Sequence, residues 1–291
     1  MATMASNGSL KRLRRRLPPT SICVAAVWAF LMYFTAFGAD FIAPYDYESI
    51  DLRARLAPPI WMSESHPGHW LGTDNLGRDI LSRLIFSIRM SLLIAALGTM
   101  MSAVLGSVIG FMAAHHRGWV GEVILLMIDF QSALPFLILA LAVLAFFDNN
   151  MALFIVVMGI YGWERYARLA RSLALSATAQ GYAVAMTTLG ATTWRIYLRH
   201  ILPNVASTLI VNMTVNFPEI IMVETSLSFL GLGVQPPNTS LGSMVGFGRQ
   251  YLFTAWWIAA FPAFVIFVST LAFSLLGDWV RDKLDPILRD S

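Results

Sequence analysis

The chain is short of both cysteine and charge. Among its 291 residues only Cys23 carries a thiol, which excludes a disulfide framework and a cysteine-built metal centre. Charged residues make up 13%, well below the quarter usual in soluble domains, against 57% hydrophobic residues and a mean hydropathy of +0.65. No Gly-x-x-x-x-Gly-Lys run is present, so the chain has no Walker loop with which to bind ATP. Gly231-Leu232-Gly233 follows no strand pattern and is not a dinucleotide fingerprint. The histidines fall in connections and not in apolar blocks, so no Ser–His pair for an intramembrane hydrolase is available. Adjacent His115 and His116 lack further ligands, and no metal site is expected there. No catalytic residue is expected at all. The net charge of +3 rests largely on one run, Lys11, Arg12, Arg14, Arg15 and Arg16, beside an apolar block. Such a run reads as membrane orientation, not as a nucleic-acid surface.

What is abundant is apolar sequence in long blocks. Backbone amides in hydrocarbon must be satisfied within their own segment, so each block of about 17 to 25 apolar residues is a candidate helix. Six occur, at residues 21–41, 90–114, 120–147, 151–167, 205–230 and 256–276, with tight turns at 115–118 and 148–150. The first is too long for a signal-peptide core and has no clear small-x-small site after it, so it is expected to be retained as a span. The fold class is therefore an all-α integral membrane protein of about six transmembrane helices. The expected parts are a basic tail (1–20), a first helix (21–41), an outer segment with an amphipathic helix (42–89), a five-helix core (90–277) and a C-terminal tail (278–291). Lysine and arginine near the span ends put both termini in the cytoplasm, together with Arg165, Arg168, Arg171, Arg195 and Arg199.

The longest inner connection, 169–203, is too polar to span and too apolar for a linker. Tyr182, Ala185, Met186 and Leu189 fall at i, i+3, i+4 and i+7, giving a short helix with one apolar stripe that Gly190 can end in the left-handed conformation. A second stretch, 192–202, is expected to stop before Pro203. Residues 71–88 place Leu76, Ile80, Leu81, Leu84, Ile85 and Ile88 on one face, as in a helix lying along the outer membrane surface. Within the spans, Asp129, Glu219 and Glu224 are candidates for a translocation path, since a carboxylate at membrane depth costs about 2.5 kcal/mol or more unless it faces a cavity or a partner. Asp129 stands six residues before Pro135, which predicts a kink, and Glu219 follows Pro218. Gly106 and Gly110 give the small-xxx-small spacing of close helix approach.

The run from Gly190 to Leu202-Pro203-Asn204 resembles the cytoplasmic loop of membrane subunits of bacterial binding-protein-dependent ABC importers. The family has a Glu-Ala-Ala triplet before the glycine; here Val184-Ala185-Met186 stands there, keeping one alanine and losing the glutamate. Three further stretches narrow the resemblance to the dipeptide, oligopeptide and nickel permeases, on the side of their "C" type subunit. They are Leu71 to Arg83, with Gly72, Thr73, Asp74, Gly77, Arg78 and Asp79; Glu224 to Gly233 with Pro236-Pro237 and Ser240-Leu241-Gly242; and Gly277-Asp278 with Arg281-Asp282 and Leu284-Asp285-Pro286. The resemblance implies a type I importer permease in the bacterial inner membrane, paired with a similar but different membrane subunit. It further implies two ATPase subunits, which alone use ATP and Mg, and a periplasmic or lipid-anchored solute-binding protein. The expected contacts to the ATPase are Tyr182, Val184, Ala185, Met186, Leu189, Gly190, Leu202 and Pro203. Small peptides are the expected cargo, with nickel or another small solute as alternatives. A carrier driven by protons through Asp129 and Glu219 is the reading from another class.

Overall fold

The computed structural model describes residues 19–116, 118–147, 149–181, 186 and 189–284, with the side chains of residues 193 and 194 set aside. Among these residues the regular structure is helical, apart from one isolated bridge between Thr73 and Asp79. Numbering the helices of eight or more residues gives α1 Thr20–Phe37, α2 Ile80–His115, α3 Trp119–Ala133, α4 Phe136–Phe146 and α5 Met151–Ile160. There follow α6 Trp163–Thr178, α7 Leu202–Phe229, α8 Leu241–Gly248 and α9 Trp257–Leu284.

The blocks of hydropathy map onto these helices with three physical amendments. Four helices are long and apolar enough to cross a membrane: α1, α2, α9, and α7 with the turn before it. α3 and α4 qualify only together and are bent by 88° at the break between them, the geometry of a broken span or a re-entrant loop, so the described residues hold four spans, or five with this pair, where six blocks were expected. Pro135 supplies the break, because it lacks an N–H and drives Leu134 into extended backbone at ψ 132°. The block 151–167 is likewise divided. α5 stops at Ile160, Tyr161 is extended, and Gly162 takes φ +77°, a conformation natural to glycine, before α6 begins. Ser102 of α2 donates to the carbonyls of Gly159, at 3.0 Å, and of Tyr161, satisfying groups that the break would otherwise orphan in hydrocarbon.

The second amendment concerns 71–88, where a separate surface helix was expected. Residues 80–89 are instead the first turns of α2, continuous with the span. Ile80, Leu84, Ile85 and Ile88 are buried in the protein core and not laid on lipid. Asp79 sets the helix start by accepting from the Ser82 amide at 2.7 Å, and neither glycine nor proline interrupts the next eighteen residues. The third concerns Pro203, which does not end a helix. Tyr197–Ile201 forms a wide π turn that runs into α7, and this turn absorbs both the missing donor and the ring's crowding of the carbonyl four residues back.

α2 is the central post, flanked by α1, α5, α6 and α7, while α9 packs on α1, α7 and α8. Its small residues let α6 approach closely. A Cβ at Gly106 would collide with the Trp163 carbonyl and stand 2.6 Å from the Tyr166 Cβ; one at Gly110 would collide with the Ala167 carbonyl. On α6 the facing residues are Ala167, Ala170, Ala174 and Ala177, all buried. Gly106→Leu is therefore expected to lower stability by about 1–3 kcal/mol or more through overpacking, while Val104→Ala on the exposed face of α2 leaves it near wild type. Thermal unfolding of the detergent-solubilised protein checks this, and equal midpoints for the two variants would contradict it.

Candidate functional site

Three polar constructions stand out against the apolar background. The first is in the segment between α1 and α2. Thr73, fully buried, donates from its hydroxyl to the Ala54 carbonyl and accepts from the Ala57 amide at 2.9 Å, while its carbonyl accepts from Trp257 Nε1 at 3.1 Å. Asp74, 1% exposed, accepts from the amides of Leu76 and Arg78 at 2.8 and 3.0 Å and pairs with Arg78 Nε at 2.7 Å. Gly72 and Gly77 hold positive φ of 81° and 75°, and a Cβ at Gly77 would occupy the space of the Asp51 carbonyl. Asp79 accepts from Ser82 and lies 3.0 Å from buried His69 Nδ1. Burial raises the Tyr47 phenol nearby, with Glu48 adding to the effect, so this ring stays neutral against Phe86. The polar groups of Gly72, Thr73, Asp74, Gly77, Arg78 and Asp79 are thus engaged with one another and with α9; their geometry is that of a brace.

At the same end of the molecule Glu224 is 1% exposed and accepts from Ser228 at 2.7 Å and Ser240 at 2.6 Å. Ser240 also caps α8, and Gly242 sits so close that a Cβ would lie 2.9 Å from Glu224 Oε1. The carboxylate ties α7 to α8. It is enclosed, unlike the other two carboxylates singled out in the spans.

The second construction is the connection between α6 and α7. Tyr182, Val184 and Ala185 lie outside the described residues. Gly190 has φ +77°, and the Ala191 amide donates to the Met186 carbonyl at 3.1 Å, the six-to-one bond of a Schellman ending. Met186 packs with Ala191, Tyr197 and Leu202 onto a cluster built from Ala170, Ala174, Ala177, Ile201 and Val205. Leu189, by contrast, is 80% exposed, and a Cβ on Gly190 would meet nothing within 4 Å. The loop end is anchored on one side and presents a bare leucine on the other. Pro203 sits in the first turn of α7.

The third lies along α6. Arg165 Nη1 is 2.7 Å from Glu219 Oε2 on α7, and the Tyr161 hydroxyl donates to the same oxygen at 3.3 Å. The Arg165 guanidinium also stands 5.2 Å from the centre of the Tyr161 ring. One turn on, Arg168 Nη2 is 3.2 Å from Asp129 Oδ1 and donates to Ser132 of α3. Both pairs are open: the side chains of Arg165 and Glu219 are 44% and 36% exposed, those of Arg168 and Asp129 48% and 68%. Sequence reasoning found the two carboxylates but not their partners, since Arg165 and Glu219 are separated by 54 positions that no periodicity links.

Depth follows from helix rise. Asn149 Nδ2 donates to the Leu232 and Gly233 carbonyls at 3.0 and 3.1 Å, so the start of α5 and the end of α7 share one level. From that level the break at Gly162 is about 15–18 Å along α5 and Glu219 about 15 Å back along α7, at 1.5 Å per residue. A hydrocarbon layer of about 30 Å with its edge at that level would have its middle near both.

Broken helices at that depth, long apolar spans and a close-packed small-residue seam define a multi-pass membrane protein. Residues 106–290 match the family described as the binding-protein-dependent transport system inner membrane component. The Di/tripeptide transport system permease protein DppC of Pseudomonas aeruginosa is 37% identical over 261 residues, 90% of this chain and 86% of its own length. The Glutathione transport system permease protein GsiD of Pectobacterium atrosepticum is 36% identical, over 94% and 90%. The Dipeptide transport system permease protein DppC of Escherichia coli is 36% identical, over 91% and 89%. In fold the chain is similar to one from the MetNI methionine ABC transporter in an inward-facing conformation, with a TM-score of 0.56 at 16% identity, covering 71% of this chain and 98% of that one. The chain belongs to the membrane components of binding-protein-dependent ABC importers, within the dipeptide permease group. It is a permease subunit of that family.

The brace yields a direct prediction. Asp79→Ala removes the cap of α2 and the partner of buried His69 together, and should cost about 1–3 kcal/mol. Asp40→Asn, which removes an exposed partner of Arg89, should cost little. Denaturant or thermal unfolding of the two variants measures the difference, and equal losses would contradict it.

Proposed function

We propose that the chain is one of two different membrane subunits of an ATP-driven importer of short peptides in the bacterial inner membrane. Two ATPase subunits lie beneath it and a periplasmic or lipid-anchored solute-binding protein above. The cargo is inferred from the relatives, whose names specify dipeptides, di- and tripeptides and glutathione, itself a tripeptide. Nickel or another small solute would fit the same architecture. Both termini lie in the cytoplasm in this reading, residues 42–89 face the periplasm, and ATP and Mg are used by the partner ATPases alone.

The observation that carries the coupling mechanism is the loop ending at Gly190. A segment anchored through Met186 and closed by a left-handed glycine presents exposed Leu189, which is what a handle for another protein requires. Tyr182 and Ala185 complete its apolar stripe in the sequence, and Val184 belongs to the same expected contact surface. Motion of the ATPases enters through this handle, passes along α6 and the π turn leading through Leu202 and Pro203, and alternates the opening of the spans. Asp129 and Glu219 flank the path; Glu224, enclosed by serines, acts as a structural tie.

Gly190→Leu forces a side chain into a conformation that it rarely adopts, and Met186→Asp places a charge on the alanine cluster. Each should lower peptide uptake by about tenfold or more while ATP hydrolysis by the co-purified complex continues. Normal uptake in both variants would refute the coupling role. Uptake that collapses with a protonophore yet survives removal of the ATPases would favour a proton-driven carrier instead.

A further inference from the structure

The Arg165–Glu219 pair does more than close a gap between two helices. It lies beside a helix break, with both side chains partly open. Glu164 adds a second carboxylate 3.9 Å from Arg165 Nε. Next to the pair stand Asn216, 3% exposed, and Tyr166, fully buried. Asn216 Oδ1 and the Tyr166 hydroxyl have no hydrogen-bond partner among the described residues. Asn216 approaches the pair at Gly162, where a Cβ would lie 2.9 Å from Asn216 Nδ2 and 3.2 Å from Arg165 Nη2. A plain structural ion pair requires no such surplus of polar capacity, and buried orphans of this kind are destabilising.

The arrangement matches the polar groups of one class of solute. A short unblocked peptide carries an ammonium and a carboxylate, and both lose hydration on entering a narrow passage through lipid. Arginine offers a planar fork to a carboxylate, glutamate a counter-charge to an ammonium, and the asparagine oxygen an acceptor for N–H. We propose that Arg165 and Glu219 form this subunit's own binding site for a small zwitterion, the pair separating so that Arg165 takes the carboxylate and Glu219 the ammonium. When no cargo is present the two charges neutralise each other, which keeps the site stable at this depth. The inference rests on the reading that this face of α6 lines the passage of a peptide importer.

The test uses the assembled complex in lipid nanodiscs without its solute-binding protein, with radiolabelled L-alanyl-L-alanine as probe. The wild type should bind it saturably, and unlabelled dipeptide should compete at least about tenfold better than its N-acetylated or C-amidated form. Glu219→Gln should erase the penalty for N-acetylation and keep that for amidation; Arg165→Gln should do the reverse. Absence of saturable binding to the wild type overturns the site whatever the variants do. Unchanged discrimination in both variants overturns it too, leaving the pair as a structural clasp or gate. ATP hydrolysis stimulated by the solute-binding protein, measured on the same preparation, separates the two levels of failure. Stimulation without dipeptide binding removes only the site, and loss of both removes the importer reading beneath it.

Discussion

A charge in hydrocarbon must have a partner or water, and the cost of leaving it with neither, about 2.5–3.5 kcal/mol per residue on insertion scales, governs how α6 sits. One side of that helix is alanine, with Trp163 and Tyr166, packed on the glycines of α2; the other carries Arg165 and Arg168. The alanine side fixes which way the helix faces, because only there can it approach α2 so closely. The arginines are then held toward α3 and α7, where Asp129 and Glu219 meet them. These side chains remain partly open, which supports the proposal that the face they occupy borders water.

The same constraint explains the breaks. An interrupted helix in lipid frees carbonyls and amides that must be satisfied by protein. At Tyr161–Gly162 the hydroxyl of Ser102 meets two of the freed carbonyls, and the glycine supplies a backbone turn that other residues would resist. At Pro135 the bend brings the end of α3, with Asp129, alongside α6. Irregular backbone and charge therefore occur together. Each is tolerable because the other gives it a polar setting, and that pairing is what a passage through a membrane protein needs.

Much of this was legible in the sequence, for identifiable reasons. Long apolar blocks give helices because lipid allows little else, Gly106 and Gly110 announce a close crossing by spacing alone, and Gly190 announces a helix end. Pro135 marked a bend. The brace at 72–79 was visible as a motif but not as a structure, because its bonds reach Ala54, Ala57 and Trp257, which no local pattern connects. The amphipathic face of 80–88 was misplaced onto the membrane surface, since periodicity reports an apolar stripe without saying whether protein or lipid covers it. Arg165 and Arg168 were assigned to a cytoplasmic edge by a rule about span ends. That rule has no way of seeing that the block 151–167 is broken at Tyr161–Gly162 or that Arg165 and Arg168 pair with Glu219 and Asp129.

The central claim is that the charged face of α6 and α7 borders water within an importer. It is tested most directly by thiol labelling of the assembled complex with a membrane-impermeant methanethiosulfonate, in a Cys23→Ala background. A cysteine at Glu219 should react in at least one nucleotide state, while one at Phe30, exposed on α1 toward lipid, should not. A position 219 as inert as position 30 in every state would contradict the account.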